Sequence, residues 1–497
     1  MSLLSLLIRA DAGGSLGTGH VMRMIALAQA WQARGGRVTL AACECPAALV
    51  ERLRVEAIGY EALGPVAPGS AADLQRTVEL ARNLRAGWVA VDGYHFDEEY
   101  FKALKAEDFR VLAVDDYGHC ETWHADLLIN QNLRDVGDTP PSHVGIAGAR
   151  FLAGPQFALL RREFREGIGG QLPPAAARQR VLITFGGVDP TGGTLQVLQA
   201  LNEIQDPPLD IKVLAGPANP NLEALRQESS RSPHPIELIA ATDDMPALYQ
   251  WSQRVISAGG SSCYEWMFCG VPGWVTAVAQ NQEQIVRILL ERRLAGGLAT
   301  IASLGKSELA DSLARWLRAS LRRQAALVDG WGALRVAAAM SPVPCWVRPV
   351  DINRDARFLF DLANEPSVRT VGSHTQAIAW AEHVAWLQRH GASAHSRLIV
   401  IEMLDEGPVG QIRLHEQAGQ IWEIGISIQP RHRQAGLAST AIGLAMREMT
   451  ASADVAGWLA RIRSANLASQ RLFAKLGFVC EAATSGMQSW ILRSATR

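Results

Sequence analysis

Cysteine pairs at metal-ligand spacing are missing from this chain of 497 residues. Its seven cysteines are odd in number and scattered, and Cys43-x-Cys45 has no second pair to complete a tetrahedral site. That excludes a structural zinc and a disulfide framework, and it reads as reduced thiols in a cytosolic protein. A basic excess is missing too. Forty-eight Lys and Arg against 49 Asp and Glu leave a formal net charge of -1. Neutralising nucleic-acid phosphates needs such an excess, so no nucleic-acid partner is expected. No apolar run reaches the ~20 residues of a membrane span. The opening MSLLSLLIRADAGG lacks the preceding positive charge of a signal peptide and reads as a first buried strand. Short-period repeats and low-complexity tracts are also absent. The expectation is a soluble, cytoplasmic protein that needs no metal and has no membrane partner.

Apolar residues supply 48% of the chain, enough for several cores, at a length that calls for two or three domains. Over residues 1–166, buried-strand patterns (LLSLLIRAD, RVTLAAC, AGWVAVDGY, FRVLAVDD, ADLLIN) alternate with helical ones. Such alternation implies a parallel sheet covered by helices on both faces. GIGGQLPPAAARQR (167–180) reads as a linker. A second alternating block fills 178–340, through RVLITFGG, LDIKVLAG, IELIAA, RVISAGGSS and PGWVTAV. MSPVPCW (340–346) reads as a second linker, and 346–497 shows mixed strand and helix patterns. The fold class expected is α/β: two doubly wound Rossmann-like halves followed by a separate α+β domain.

The stretch GGSLGTGHVMR leaves the first strand through four glycines and places His20 at a helix start. Glycine lets backbone N–H groups approach a phosphate or sugar, and a helix N-terminus favours negative charge. The spacing Gly14-x-x-Gly17-x-Gly19 is not the dinucleotide fingerprint G-x-G-x-x-G, so no NAD site follows. A histidine at the positive end of the helix dipole is disfavoured as imidazolium and suits a general base; alternatively it only caps the helix. In the second block SAGGSSCYEWMFCGVP again runs from strand through Gly259 and Gly260 into Ser261, Ser262 and a helix, which suits a diphosphate. Glu265, in the first helical turns, either accepts from a ribose or is an exposed helix residue; Ser261 is a ligand or an N-cap. Asp11, Asp92, Asp115 and Asp116 end apolar strands, where each either orients His20, binds sugar hydroxyls or caps a helix. Tyr94 and His95 follow one of those strands.

RADAGGSLGTGHVMR, VDGYHFDEEY, VDDYGHCETWHADLLINQN, GPQFALLRREF, FGGVDPTG and SAGGSSCYEWMFCGVP together resemble the UDP-sugar hydrolases of pseudaminic acid biosynthesis, over residues 5–335. That family is similar to the GT-B glycosyltransferases. The resemblance implies hydrolysis of UDP-2,4-diacetamido-2,4,6-trideoxy-β-L-altropyranose to UDP and free sugar with inversion. It makes His20 the catalytic residue, Gly259, Ser261, Ser262 and Glu265 the nucleotide-binding stretch, and Asn281 a sugar contact. Gly17, Gly19 and Arg23 fall on the loop and helix start that would meet the UDP-sugar. The chemistry agrees: a nucleoside diphosphate leaves as a stabilised anion, so one base suffices where ordinary glycosidases need two carboxyl groups.

Near the C-terminus, WEIGISIQPRHRQAGLAS joins strand to helix through Arg433-x-x-Gly436-x-Ala438, a turn whose backbone amides form a nest for pyrophosphate. NLASQRLFAKLGF follows at 466–478. In this order the two motifs resemble GCN5-related N-acetyltransferases (GNAT), over residues 346 to about 493. The resemblance implies acetyl-CoA, with Arg433, Gln434, Gly436, Ala438 and Ser439 about its pyrophosphate and Asn466 near the pantetheine arm. Phe473 stands where many members carry a tyrosine that protonates the departing thiolate, and Ser469 is the substitute through water. Glu423 is the candidate base for the incoming ammonium, or a plain sheet-face carboxylate. Trp380, Trp386 and Trp422 line an acceptor pocket or pack in the core. Coupling the two activities points to acetylation of the 4-amino group of the UDP-sugar immediately before its hydrolysis.

Overall fold

In the computed structural model the described residues are 5–13, 17–134, 149–167, 178–189, 191–216, 218–319, 327–371, 376–484 and 486–494. The expected linker at 167–180 falls largely outside them. Residues 1–336 and 337–497 form two compact units.

The first unit holds two parallel sheets. Strands β1 (Ser5–Ala10), β2 (Val38–Ala42), β3 (Gly59–Ala62), β4 (Ala86–Asp92), β5 (Arg110–Val114), β6 (Leu127–Asn130) and β7 (Arg150–Ala153) lie in the order β3-β2-β1-β4-β5-β6-β7. The centres of the inner strands are near-continuous apolar runs buried on both faces, such as Leu6, Leu7 and Ile8 in β1. The second sheet joins β8 (Gln179–Thr184), β9 (Leu209–Leu214), β10 (Ile236–Ile239), β11 (Arg254–Ala258), β12 (Gly273–Thr276) and β13 (Gly296–Gly297) in the order β10-β9-β8-β11-β12-β13. Both are doubly wound, as expected. In each, strand order reverses at one point, between β1 and β4 and between β8 and β11, and crevices at such points collect ligands.

Three strands escape the sequence patterns in this unit. β3 and β7 are short edge strands with little buried side-chain surface, and β13 is a pair of glycines. Edge strands need no apolar run, so periodicity does not announce them.

The second unit is a seven-stranded sheet, β14 (Cys345–Pro349), β15 (Ser396–Met403), β16 (Gly407–Gln417), β17 (Ile421–Ile428), β18 (Gly457–Arg463), β19 (Val479–Thr484) and β20 (Met487–Arg493), ordered β14-β15-β16-β17-β18-β20-β19. All neighbours are antiparallel except β17 and β18. The helix Leu437–Ser452 packs on one face over Ile412, Leu414, Trp422 and Ile424. Cys345 and Trp346, read as linker, are buried in β14, a five-residue strand buried on both faces that follows directly on two prolines.

Candidate functional site

The switch point of the first sheet sets His20 over the end of its neighbour strand. β1 leads through the glycine loop into the helix Gly19–Ala33, while β4, paired beside β1, ends at Asp92. Gly17 takes φ of +69°, a left-handed conformation open to glycine, and its carbonyl accepts from Gly13 N–H to close the loop. Gly14, the first glycine of the expected spacing, lies outside the described residues. His20 Nδ1 donates to Asp92 Oδ1 at 2.8 Å, which leaves Nε2 as the lone-pair nitrogen. Tyr94 packs edge-on against the imidazole, 4.7 Å between centroids.

Arg23, one turn further on the same helical face, donates to both oxygens of Asp92 at 2.6 Å and to Asp116 at 2.9 Å. Burial would raise the Asp92 carboxyl, but the Arg23 charge and then His20 hold it well below the usual carboxylate range. Arg23 was expected against substrate. It is buried with its guanidinium bonded to these two carboxylates, and it also lines a small cavity beside Ser261 and Glu265. Of the strand-end aspartates, Asp92 is the one that orients His20. Asp116 accepts from the Tyr94 hydroxyl, Asp115 caps the turn at Tyr117 and Gly118, and Asp11 pairs with Arg9 at 2.7 Å. Burial and then Asp116 push the Tyr94 phenol above its usual range, so it remains a donor.

The second sheet answers from across the crevice. A Cβ built on Gly19 would lie 3.9 Å from Ser261 Oγ, so the two glycine–helix junctions face each other. Gly187, after β8, comes equally close to Thr18. Ser261 occupies the N-cap position of the helix Ser262–Phe268 but makes no side-chain capping bond. Asn281 Nδ2 donates to the Tyr94 hydroxyl at 2.9 Å, and Tyr264 donates to Asn132 at 2.8 Å, which ties the halves together. Glu265, expected to accept from a ribose, is held within the protein. Arg161 reaches one of its oxygens at 3.1 Å and the Tyr249 hydroxyl donates to the other at 3.2 Å. Arg161 went unnoticed in the sequence because its partner lies 104 positions away. A cavity of about 30 Å³ lies between Arg23, Arg161, Ser261, Tyr264 and Glu265.

In the second unit, β17 and β18 pair only from Ile421–Glu423 to Gly457–Leu459 and then diverge. Glu423 therefore stands at the last rung before the opening. The turn beyond β17 holds two residues of positive φ, Gln434 at +69° and Gly436 at +78°, and feeds the 16-residue helix Leu437–Ser452, whose first turn carries no acidic residue. That is an anion-accepting terminus. A Cβ on Gly436 meets only Val343, at 3.7 Å, so the approach to the turn is open. A larger cavity of about 460 Å³ lies two helical turns on, by Gly443, Arg447 and Trp458.

Residues 346–479 match the family described as Acetyltransferase (GNAT) domain. This segment is a GNAT domain. Within it, the side chains of several residues expected at the cofactor are bonded within the protein. Arg433 Nε donates to Ile428 O at 3.0 Å and its Nη2 lies 3.7 Å from Glu365; Ser439 Oγ donates back to Gly436 O at 2.9 Å. Ala438 sits in the first turn of the helix. Asn466 caps its helix by accepting from Ser469 N–H at 3.1 Å. Phe473 is buried edge-on against Phe478. Trp422 is core, Trp380 is exposed beside Phe360, and Trp386 stacks on His390.

Among known proteins, the chain is 26% identical over 347 residues to the spore coat polysaccharide biosynthesis protein SpsG of Bacillus subtilis (67% of this chain, 96% of that one). MurG of Acinetobacter baumannii aligns over 66% of this chain and 93% of its own at 16% identity, with a TM-score of 0.43. Spermidine N-acetyltransferase of Vibrio cholerae, solved with CoA and spermine, aligns over 30% of this chain and 95% of its own at 18% identity, with a TM-score of 0.28. The first unit has two doubly wound parallel sheets. Among the described residues no group of His, Cys, Asp and Glu could hold a metal, and no helix is long and apolar enough to cross a membrane.

Proposed function

We propose that the chain is a bifunctional enzyme of pseudaminic acid biosynthesis. Its GNAT domain acetylates the 4-amino group of UDP-4-amino-4,6-dideoxy-N-acetyl-β-L-altrosamine from acetyl-CoA. Its GT-B-like unit then hydrolyses the resulting UDP-2,4-diacetamido-2,4,6-trideoxy-β-L-altropyranose to UDP and free sugar. The observation that carries this reading is the His20–Asp92 pair at a glycine loop facing Ser261 across the crevice. A relative named for polysaccharide biosynthesis and an acetyltransferase family match are consistent with it.

In the hydrolase, Asp92 keeps the proton on His20 Nδ1, so Nε2 takes a proton from water as the water oxygen bonds to the anomeric carbon. The bond from that carbon to the diphosphate oxygen breaks with its electrons on UDP, and attack opposite the leaving group inverts the centre. The Gly17–Gly19 loop with the open helix start, and Ser261 and Ser262 opposite, would receive the diphosphate. In the GNAT domain the amine lone pair would attack the thioester carbon, Glu423 would take the ammonium proton, and the thiolate would leave. A thiol pKa near ~8.5 makes that departure feasible without a tyrosine at Phe473.

The test is the purified chain with the 4-amino UDP-sugar and acetyl-CoA, followed by NMR. Acetylation should precede appearance of free sugar of inverted anomeric configuration. UDP release that requires an added acceptor would replace the hydrolase with a glycosyltransferase. His20→Asn should lower UDP release by ~10²–10⁴ while UDP affinity stays within a few-fold, as loss of a general base does. Near-normal turnover by the folded variant would rule out His20 as the base.

A further inference from the structure

The face of the GNAT sheet turned away from the helix Leu437–Ser452, on which the helix Ile352–Asn364 packs beside β16 and β17, concentrates arginine. Antiparallel pairing sets Arg413 opposite Gly425 and His415 opposite Glu423. The rung from Glu423 to Leu459 and the two-residue alternation of a strand bring Arg461 and Arg463 to that same face. The opposite face is the apolar core under the helix Leu437–Ser452. Arg463 donates to Thr370 O at 3.3 Å, which brings in Arg369, and Arg369 lies close enough to repel Arg413.

Glu423 lies among these guanidinium groups, 3.7 Å from Arg461 Nε. The nearby acids are committed elsewhere: Asp355 and Glu402 to Arg348, and Glu365 to Arg433. Arg413 retains exposed surface, yet crowding by protein lowers its pKa from the ordinary arginine value; Arg369 adds to this and Glu423 opposes it. Gly425 leaves space for the Arg413 guanidinium, since a Cβ there would lie 3.3 Å from its Nη2. Desolvated cations are ordinarily paired, and planar guanidinium groups match phosphate oxygens in two-point contacts.

We propose that Arg413 and Arg461 form an anion subsite for the acetyl acceptor, so that the acceptor is an amine bearing phosphate, held with its nitrogen toward Glu423. This rests on the reading of the domain as an amine acetyltransferase, and it assigns the residues that select the diphosphate of a sugar nucleotide over a phosphate-free amine.

Acetyl transfer by the full chain is compared for the UDP-linked 4-amino sugar and the same amino sugar without its nucleotide. Charge-assisted hydrogen bonds to phosphate should make the wild-type KM about tenfold or more lower for the UDP-linked amine. Arg413→Gln and Arg461→Gln should raise that KM by a similar factor. The KM values for acetyl-CoA and for the phosphate-free amine should stay put, and Arg461→Lys should recover part of the loss. Unaltered acetyl-CoA affinity also reports a folded domain. Equal wild-type KM values for the two amines, or equal losses with both, would overturn the subsite. If neither sugar is acetylated, the acceptor reading fails by itself. The subsite is then judged by calorimetry of inorganic pyrophosphate on the acetyl-CoA-loaded chain: a binding event lost in Arg413→Gln and Arg461→Gln supports it, and unchanged binding refutes it.

Discussion

Asp92 accepts two hydrogen bonds from Arg23 and one from His20, so its charge is shared between a cation that balances it and a ring that it aims. The paired Arg23 lets a buried carboxylate remain ionised, and the ionised carboxylate defines the imidazole tautomer. Asp92→Asn should therefore cut hydrolysis by ~10²–10⁴ with UDP affinity within a few-fold, because an amide no longer enforces the proton on Nδ1. Steady-state UDP release and calorimetry check both halves. The same residue carries a pH signature. Its folded pKa lies below the ~3.9 of an unfolded aspartate, so its contribution to stability is present above that value and lost as pH falls through it toward the folded pKa. Urea midpoints taken from pH 6 to 3.5 should fall in the wild type and fall less steeply in Asp92→Asn. His20 was legible in the sequence from its glycine loop. Asp92 was not separable from Asp115 and Asp116, because all three end apolar strands and only sheet order puts β4 beside β1.

Elements decide what turns can bind. In the Gln434–Gly436 turn two residues adopt positive φ and lead into a long helix without an acidic first turn. Gly436→Ala imposes the backbone strain alone, ~1–2 kcal/mol for a side chain in the left-handed region. Gly436→Glu adds bulk and a negative charge at the anion site. Acetyl-CoA affinity should therefore drop far more in Gly436→Glu than in Gly436→Ala, while hydrolysis of the diacetamido substrate is unchanged in both. Calorimetry and thiol release measure it; equal affinity in the two variants would mean that the turn is not the pyrophosphate nest. The turn was readable as Arg433-x-x-Gly436-x-Ala438. The divergence of β17 from β18 was not, since β18 (GWLARIR) gives no sign in sequence of where its pairing with β17 stops.

At the scale of the molecule, residues 1–336 and 337–497 are separate compact units. The helix Gly332–Ala339 ends just past that division, and Ser341 Oγ donates to Ala337 O at 2.7 Å at its close. A chain ending at Ser341 keeps that helix whole. It should hydrolyse the diacetamido UDP-sugar at a rate close to that of the full chain, without acetyl-CoA, as an independent unit would. A folded fragment that turns over only when the GNAT domain is added back would contradict this.

Glycine spacing, the helix that follows it and long apolar runs are local properties, and these alone determined the doubly wound class, both glycine–helix junctions and the place of His20. Partner choice is not local. Asp92 for His20, Tyr94 for Asn281, Arg161 for Glu265 and the arginine face around Glu423 depend on which strands lie side by side and which halves face each other. Hydrophobic burial orders the strands, and pairing between residues scores of positions apart follows from that order. Short edge strands and buried ion pairs leave no period in the sequence, so only the tertiary structure decided them.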